Sequence, residues 1–517
     1  MRTSRVFFAA VSLTFAAAIM PLRAAGDDPV AVQYHFAGAD QLSRNTNFHT
    51  ASQIFRYSSS AHFEGLVLNR LARIFWTRLK FDPAGTPGPT LVPLLDDLLY
   101  VESAGSFDAA GDNFVLAARL DGKRTQTWRE KLEIAMRGKG SAISGSSGER
   151  WANGFWMLEA PGWILVGKGE RLASVQRDYL RQIQKSGSPG AAFKNEQWLE
   201  AMIDWPQLSA TTLPHIIPLK PARTTVDISA SGGRFHVTAD LVYPQARSWT
   251  PEPWRIPKEL VREPLISFTA AQGVEPYMQL GEIFSRLPDD PFKGQFFCWA
   301  QRSMPFETYM TWPVADGAKA IKELGTEGVG IMNPFLRGWD HSRLKWPPGS
   351  SQITWDKTPI MGPYLRSVSE KEGNYLLAGL FTLDENQRPA PAPLWKQFEG
   401  HSDIVYYNWE LTGLRVHQWR LYSEIVPQML SVFGKPDAGL PVVENWLASM
   451  ELSLGNTVTE VTRTSPERLT VTRSAPFVFT GLELVWLSHW LAGEPAGPVN
   501  MNLLPKAKIS GPGIPSR

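Results

Sequence analysis

The sequence predicts a mixed α+β protein built as two related halves, each with a largely antiparallel sheet packed by helices. Three observations support this fold class. Apolar runs of strand length alternate with runs of helical period, most predicted strands are joined by short turns, and a strand–turn–helix pattern recurs along the chain. Short connections favour antiparallel pairing, because a parallel crossover needs a dozen or more residues.

The clearest unit spans residues 155–184. A turn signal, Pro161-Gly162, separates two apolar runs, and both faces of residues 163–166 are apolar, which predicts a strand covered on both sides. After Gly169 the apolar residues follow a helical period. We therefore predict strand, turn, strand and helix.

Residues 26–247 form the predicted first half. Its other predicted elements are, in chain order, a strand at 31–36, the Gly38 turn, a helix through 54–55, a helix at 63–79, a short apolar segment at 91–100, a strand at 114–120, a helix at 125–136, a short helix near 196–202 and a hairpin at 225–243.

Residues 248–264, rich in Pro and Trp, are predicted to link this half to a second one at 265–493. The predicted elements of the second half are, in chain order, a strand at 265–270, a helix from Pro276, a strand at 404–408, a helix reaching Met429, a hairpin at 457–472 and a helix at 481–491. The recurrence suggests a duplicated unit, although strand–turn–helix is common enough to recur by chance. Residues 494–517 are predicted to be disordered.

The first 25 residues predict a signal peptide. Arg2 and Arg5 precede an apolar run at 6–20, and small residues follow it. Cleavage after Ala24 or Ala25 would release an exported protein, periplasmic or extracellular. No later apolar run reaches the length of a spanning helix, so we expect no transmembrane segment in the mature chain.

Composition argues against a nucleic-acid partner. Among 517 residues the net charge is only +2, with no basic run, whereas 20 tryptophans and 40 prolines are unusual. Tryptophan suits cores, ligand platforms and membrane interfaces.

The chain has a single cysteine, Cys298, so an internal disulfide is excluded. Its neighbours are apolar, which predicts a buried, unreactive thiol.

Three segments carry a resemblance to a known family. Residues 32–47 (VQYHFAGADQLSRNTN), 91–102 (LVPLLDDLLYVE) and 156–169 (WMLEAPGWILVGKG) resemble exported proteins of unknown function that are frequent in Verrucomicrobia-type bacteria. The likeness covers most of the chain through loose motifs. It implies export and a two-part plan, and it carries no activity or catalytic residues.

Two short segments resemble functional motifs, but each lacks a feature that its motif requires. Gly162, Gly167 and Lys168 have the spacing of a phosphate-binding loop, but Gly169 stands where Ser or Thr would hold Mg²⁺. Ser342-Arg343-Leu344-Lys345 matches the acylating S-x-x-K motif, but Trp346-Pro347-Pro348 follows at once and would end the helix that the motif needs.

The remaining polar candidates are isolated. His341 beside Asp340 and His401 near Asp403 could each supply half of a metal or proton-relay site, and a surface hydrogen bond is the more common role of such pairs.

Glycoside hydrolysis needs two facing carboxylates. Glu410 after Trp409 is the most suggestive acid, with Glu159 near Trp156 as a possible partner, although both tryptophans also suit a core.

An aromatic segment at 333–365 favours either a binding loop or a self-packed loop over a sheet. Taken together, these patterns predict an exported, non-catalytic binding or envelope-associated protein with an unknown envelope component or small ligand as partner, without cofactor, metal or catalytic residues. The alternatives are an envelope carbohydrate hydrolase using Glu410 and a carrier of an apolar ligand. The carrier requires a deep cavity lined by Trp and Leu.

Overall fold

The structure is a computed structural model that describes residues 30–44, 46–82, 84–108, 113–143, 147–151, 153–191, 193, 196–207, 221–245, 250–273, 294–302, 307–330, 333, 343–356, 362–384, 386–430 and 440–492. These residues contain eleven helices and twenty strands, and every strand pair among them is antiparallel. The predicted mixed α+β class with antiparallel pairing is confirmed.

The elements are, in chain order, β1 (Val32–Phe36), α1 (Ala39–Arg44), α2 (His49–Ile54), α3 (Ser58–Arg78), α4 (Pro87–Tyr100), β2 (Ser103–Phe107), β3 (Phe114–Arg119), α5 (Gly122–Ala135), β4 (Ser141–Ala142), β5 (Gly148–Arg150), β6 (Phe155–Ala160), β7 (Trp163–Lys168), α6 (Ala173–Ser186), β8 (Gln197–Asp204), β9 (Arg223–Ser231), β10 (Arg234–Val242), β11 (Leu265–Gln272), β12 (Gln295–Gln301), β13 (Thr308–Val314), α7 (Gly317–Glu323), β14 (Arg343–Lys345), β15 (Gln352–Asp356), β16 (Tyr364–Glu370), β17 (Gly373–Gly379), α8 (Pro393–Lys396), β18 (Ile404–Leu411), α9 (Thr412–Leu430), α10 (Leu440–Met450), β19 (Asn456–Ser465), β20 (Arg468–Ala475) and α11 (Gly481–Ala492).

The chain divides into two compact units. Unit 1 comprises the described residues of Met1–Trp249, Leu411–Gly413 and Asp437–Glu494, and unit 2 comprises those of Thr250–Glu410 and Leu414–Pro436. The first boundary lies close to the predicted linker. The division differs from the sequence-based one at the other end, because the described residues 440–492, placed there in the second half, belong to unit 1.

One sheet organises unit 1. Its strands follow the order β4-β5-β6-β7-β3-β2-β1-β8-β9-β10-β20-β19. Helix α6 packs through Tyr179 and Ile183 against one face of β3, β6 and β7. Residues 163–166 of β7 are at most 4% exposed, which confirms the strand predicted to be covered on both sides.

The elements predicted over 31–36, 63–79, 114–120, 125–136, 155–184 and 225–243 are confirmed, with small shifts at their ends. The helix predicted near 196–202 is wrong, because this segment is strand β8. It pairs with β1 and β9, and its side chains alternate between buried and half-buried positions. Residues 91–100, left without an assignment, form the body of α4.

The C-terminal segment completes unit 1. Trp446 of α10 stacks on Phe63 of α3 with ring centroids 4.6 Å apart, and its indole N–H donates to Ser60 Oγ at 3.1 Å. Strand β20 pairs with β10 along its length. Arg473 of β20 donates to both carboxylate oxygens of Glu483 at 2.7 and 2.8 Å, and this ion pair joins α11 to the sheet.

The Arg473–Glu483 contact also shapes the start of α11. The Thr480 N–H donates to Glu483 Oε2 at 2.9 Å, which is half of a capping box. Burial by itself raises the pKa of Glu483, but the charge and hydrogen bonds of Arg473, together with Thr480, outweigh burial and hold this pKa below its ordinary value.

Unit 2 contains a sheet of order β14-β15-β16-β17-β13-β12-β11-β18. Helix α7 packs on it through a cluster that includes Ile321, Trp312 and Leu376. The strands predicted at 265–270 and 404–408 and the helix reaching Met429 are confirmed. The helix predicted from Pro276, the signal segment 1–25 and the tail 494–517 lie outside the described residues.

Candidate functional site: an apolar cavity in unit 1

The face of the unit 1 sheet that lies opposite α6 carries large side chains on β1, β2 and β3. Tyr34 of β1 lies opposite Gly105 of β2, which lies opposite Leu116 of β3. A Cβ atom on Gly105 would lie 2.3 Å from Tyr34 Cε1, so the phenol ring lies across the glycine. Glycine is therefore required here by the close approach of the ring.

Three helices cover this face. Along α4, Leu91, Leu94, Leu95, Leu98 and Leu99 recur at helical spacing and form its inner stripe. Phe75 of α3 and Trp128 of α5 border that stripe, and the three helices pack side by side with α4 in the middle.

The helices and the sheet enclose a cavity of about 150 Å³. Eight leucines, six phenylalanines, Trp128 and Val166 line it, whereas Tyr34, Ser103 and Arg78 supply the polar lining groups among the described residues. The cavity is partly open to solvent. An apolar space of this volume can hold a benzene-sized group.

Aromatic rings form a continuous wall on the sheet side. Ring centroids are 6.2 Å apart for Phe107 and Phe114, 5.9 Å for Phe114 and Phe155, and 5.3 Å for Phe155 and Phe81. Phe155 and Phe114 are at most 9% exposed. The Phe107–Phe114 pair is stacked, Phe114–Phe155 is edge to face and Phe155–Phe81 is tilted, and rings in contact in this way hold one another in place, so the wall is preformed.

The polar atoms near the cavity are turned toward the protein. The indole N–H of Trp128 donates to Asp97 Oδ2 at 2.9 Å, which leaves the ring surface for the cavity. Tyr34 and Ser103 share a side-chain hydrogen bond, and burial raises the pKa of the Tyr34 phenol. These groups keep the interior apolar, because each has its own partner.

A buried carboxyl group joins α3 to α4. Tyr100 of α4 donates its hydroxyl proton to Glu64 Oε1 of α3 at 3.1 Å, and Glu64 is 9% exposed. Burial first, and then the neighbouring Asp96 carboxylate, raise the pKa of Glu64 to about 7, while the Tyr100 hydrogen bond lowers it in part. Folding therefore favours the neutral acid.

This arrangement predicts that stability falls as pH rises. A folded pKa above the ordinary 4.5 contributes stability that is complete below pH 4.5 and is lost as pH rises through about 7. The change corresponds to about 3 kcal/mol. Glu64→Gln, which keeps an acceptor for Tyr100, should remove this loss, so that urea unfolding midpoints of the variant exceed those of wild type above pH 7.

The matched control is Glu130→Gln on α5, because Glu130 is exposed. Glu370 of unit 2 also has its pKa raised to about 7, chiefly by burial, but it contributes equally to wild type and variant. A Glu64→Gln protein with the same pH profile as wild type would contradict the prediction.

Glu159 and Glu410, the two candidate acids of a hydrolase, do not lie in an open sugar-binding cleft. Glu159 of β6 forms an ion pair with Arg129, and nearby Trp156 is 3% exposed within the unit 1 core. Glu410 is 4% exposed at the end of β18, where it is in register with Ser267. Trp409 is half-buried.

The other motifs are structural where the chain is described. Gly162 lies in the β6–β7 turn, and Gly167 and Lys168 lie in strand β7, so the glycines do not form a phosphate-binding loop. Lys345 is in strand β14 and contacts Asp356 Oδ2 at 2.6 Å, whereas Ser342 lies outside the described residues.

The histidine pairs and the cysteine predicted from sequence also form no catalytic site where they are described. His341 and Asp340 lie outside the described residues, whereas His401 Nδ1 is 3.9 Å from Asp403 Oδ1 with both side chains exposed. Cys298, predicted to be buried, is half-buried in strand β12, and burial raises the pKa of its thiol to about 11. No group of three or more metal-binding side chains occurs within the described ranges.

The aromatic segment at 333–365 is mostly strand where it is described. It supplies β14, β15 and the start of β16, and Trp346 packs against Gly325, where an added Cβ would lie 2.2 Å from the indole. Its N–H donates to Ser350 O at 2.9 Å. Trp346 is therefore part of the packing around α7, and Trp339 lies outside the described residues.

The cavity residues were not identified from sequence. The signal was present in the leucine spacing at 91–99, but only the fold brings that stripe opposite β1, β2 and β3. No described helix is both long and apolar enough to cross a membrane.

No protein-family model and no curated protein matches the chain. Among solved structures, crystal form I of TP0453 is similar at a TM-score of 0.21 and 12% identity, over 43% of this chain and 82% of that one. Crystal form III of TP0453 gives a TM-score of 0.19 and 13% identity, over 45% and 80%. Likeness at these scores carries no argument about fold or function.

Proposed function

We propose that this chain is an exported, non-catalytic binding protein that holds an apolar group in the cavity of unit 1. The observation that carries the proposal is the cavity of about 150 Å³ lined by leucine and phenylalanine side chains and Trp128. Small-molecule sites are concave and mostly apolar, with few polar groups. The carrier predicted as an alternative from sequence requires a deep cavity lined by Trp and Leu, and this cavity has eight leucines and one tryptophan.

Empty apolar volume inside a protein is costly, which favours a ligand. Side chains around a void lose dispersion contacts, and the cost grows with the volume of the void. A ligand that fills the cavity would restore those contacts and add the free energy of moving its own apolar surface out of water. The preformed aromatic wall would spare part of the entropy of ordering the site.

The exported location rests on the sequence of the first 25 residues, with cleavage after Ala24 or Ala25. The resemblance to exported proteins of Verrucomicrobia-type bacteria supports the same location. A common origin of two halves stays a prediction from the recurring strand–turn–helix pattern. The hydrolase alternative keeps its sequence argument alone, and the buried Glu410 and the Arg129-paired Glu159 do not favour it.

The test is binding of 1-octanol by isothermal titration calorimetry. Wild type should bind with a negative heat-capacity change, because apolar surface leaves water. Leu116→Trp should abolish binding, since Leu116 lines the cavity and is half-buried, so that an indole would occupy the space.

Leu482→Trp is the matched control, because Leu482 is 42% exposed on α11. This variant should bind 1-octanol as wild type does. The proposal fails if wild type does not bind, or if both tryptophan variants bind equally well.

A further inference from the structure

A pair of carboxyl groups lies where α3 packs on α4. Glu64 of α3 is 9% exposed, and its carboxyl group shares a side-chain hydrogen bond with Asp96 of α4. The hydroxyl group of Tyr100, also on α4, donates to Glu64 Oε1 at 3.1 Å. An ionised carboxylate only accepts, so two carboxyl groups can hydrogen-bond to each other only when one of them carries a proton. The contact between the two helices therefore holds one proton.

This carboxyl pair is next to the cavity lining. Asp96 directly follows Leu95 in α4. Tyr100 directly follows Leu99, and both leucines line the cavity. Phe75 lines the cavity from α3. The pair thus joins two of the helices that cover the cavity, and a movement of α4 away from α3 would displace lining residues.

The other ionisable groups on the helices packed against α3 have partners elsewhere. These helices are α4, α10 and α11. Asp97 of α4 accepts from an indole N–H on α5. Glu444 of α10 lies 3.4 Å from His489 Nε2 of α11, and Glu483 of α11 pairs with Arg473.

Ionisation of Glu64 is opposed by its surroundings. On α3 itself, His62 is exposed, and Arg70 donates to the carbonyl oxygen of Trp490. A second charge on the pair would place two carboxylates across the α3–α4 contact, away from bulk water. Burial, followed by the Asp96 carboxylate, accordingly raises the pKa of Glu64 to about 7.

We propose that the proton of the Glu64–Asp96 pair regulates the cavity: the protonated pair holds α4 on α3 and the lining around the ligand, and loss of the proton to solvent separates the helices and releases the ligand. This inference rests on the proposed apolar binding and adds its regulation. By linkage, a ligand that favours the closed helices also strengthens proton binding. A competing explanation confines the pair to stability, and it predicts ligand affinity independent of pH wherever the protein is folded.

The experiment measures the affinity of the protein for 1-octanol by calorimetry from about pH 5.5 to about pH 8.5. This ligand does not ionise in that range, so a pH dependence belongs to the protein. Because the folded pKa of Glu64 is raised above the ordinary 4.5, the proton is bound at the acidic end and is lost as pH rises through about 7. Wild type should therefore bind about 5-fold or more weakly at the alkaline end, a change within common coupling energies.

Glu64→Gln should bind at every pH with the affinity of wild type at the acidic end. Its neutral amide accepts from Tyr100 and donates to Asp96, as the protonated acid does. Glu130→Gln, an exposed position on α5, is the matched control and should keep the wild-type pH dependence.

Proton uptake gives a second measurement. Titrations at about pH 7.5 in two buffers of different ionisation enthalpy should show that wild type takes up a fraction of a proton on binding 1-octanol. Glu64→Gln should take up none. Far-UV circular dichroism at each pH shows whether the protein is folded.

Four results would overturn the inference. Wild-type affinity that does not change with pH limits the pair to stability and leaves the proposed apolar binding intact. A dependence that survives Glu64→Gln assigns it to another group, such as Glu370 of unit 2, whose pKa burial also raises to about 7. Weaker binding only where the dichroism signal is lost reflects unfolding. Absence of binding at every pH overturns the proposed function and this inference together.

Discussion

Replacing Gly38 by alanine is expected to lower the free energy of unfolding of unit 1 by about 4 kcal/mol. Gly38 joins β1 to α1 with a φ of +88°, in the left-handed region that disfavours side chains. An added Cβ would also lie 2.5 Å from the Val101 carbonyl carbon and 2.6 Å from the Tyr100 carbonyl oxygen. Both obstacles are backbone atoms, which cannot rotate away.

Gly162→Ala separates the two contributions. Gly162 has a φ of +73°, but an added Cβ there would meet nothing within 4 Å. We expect this control to cost about 1 kcal/mol, the conformational part alone. Urea unfolding followed by far-UV circular dichroism gives both values, and equal midpoints for the two variants would show that the Val101 contact is absent.

Trp446→Ala is expected to cost about 4 kcal/mol, because a large buried side chain leaves a cavity that its neighbours fill only in part. Trp446 is 1% exposed, stacks on Phe63 and donates to Ser60 Oγ. The loss should spread to the whole of unit 1, since α10 packs on α3, one of the helices that cover the cavity.

The matched control is Trp486→Ala on α11, because Trp486 is 48% exposed. We expect it to cost less than about 1 kcal/mol, in line with other surface substitutions. If the two variants unfold at the same urea concentration, residues 440–492 are not integrated into unit 1 as the Trp446 contacts indicate.

Local sequence patterns were sufficient to predict elements in which the hydrophobic period and the flanking turn residues indicate the same secondary structure. The helix around Phe63, the β6–β7 hairpin with its Pro161-Gly162 turn, and the hairpin at Ser465 all fall in this class. In each, the side-chain period that predicts the element is also the period of its buried face.

Strand β8 was predicted wrongly because its tertiary context overrides its composition. Leu199, Glu200, Ala201 and Met202 are good helix formers, yet the segment lies between β1 and β9 and is paired along both edges. Pairing of β8 with two neighbouring strands leaves no trace in the sequence of the segment itself.

Helix α4 was left without an assignment because Pro93 interrupts a short apolar run, although this run is helical in the structure.

The cavity is the feature furthest from sequence reasoning. Its wall combines residues from Tyr34 to Val166, which are neighbours only after eight elements have packed. An unfilled volume is a property of packing, and residue types by themselves do not report it.

Unit 1 is built from segments that lie far apart in the chain, and this affects the order of folding. The described residues of unit 2 all precede residue 437, whereas β10 obtains its neighbour β20 only when the last described segment of the chain arrives. During synthesis from the N-terminus, β10 would present an unpaired strand edge and α3 an uncovered apolar face, both prone to aggregation. The described part of unit 2 can therefore fold while unit 1 still waits for its C-terminal segment, so the last strands and helices of the chain decide when unit 1 closes.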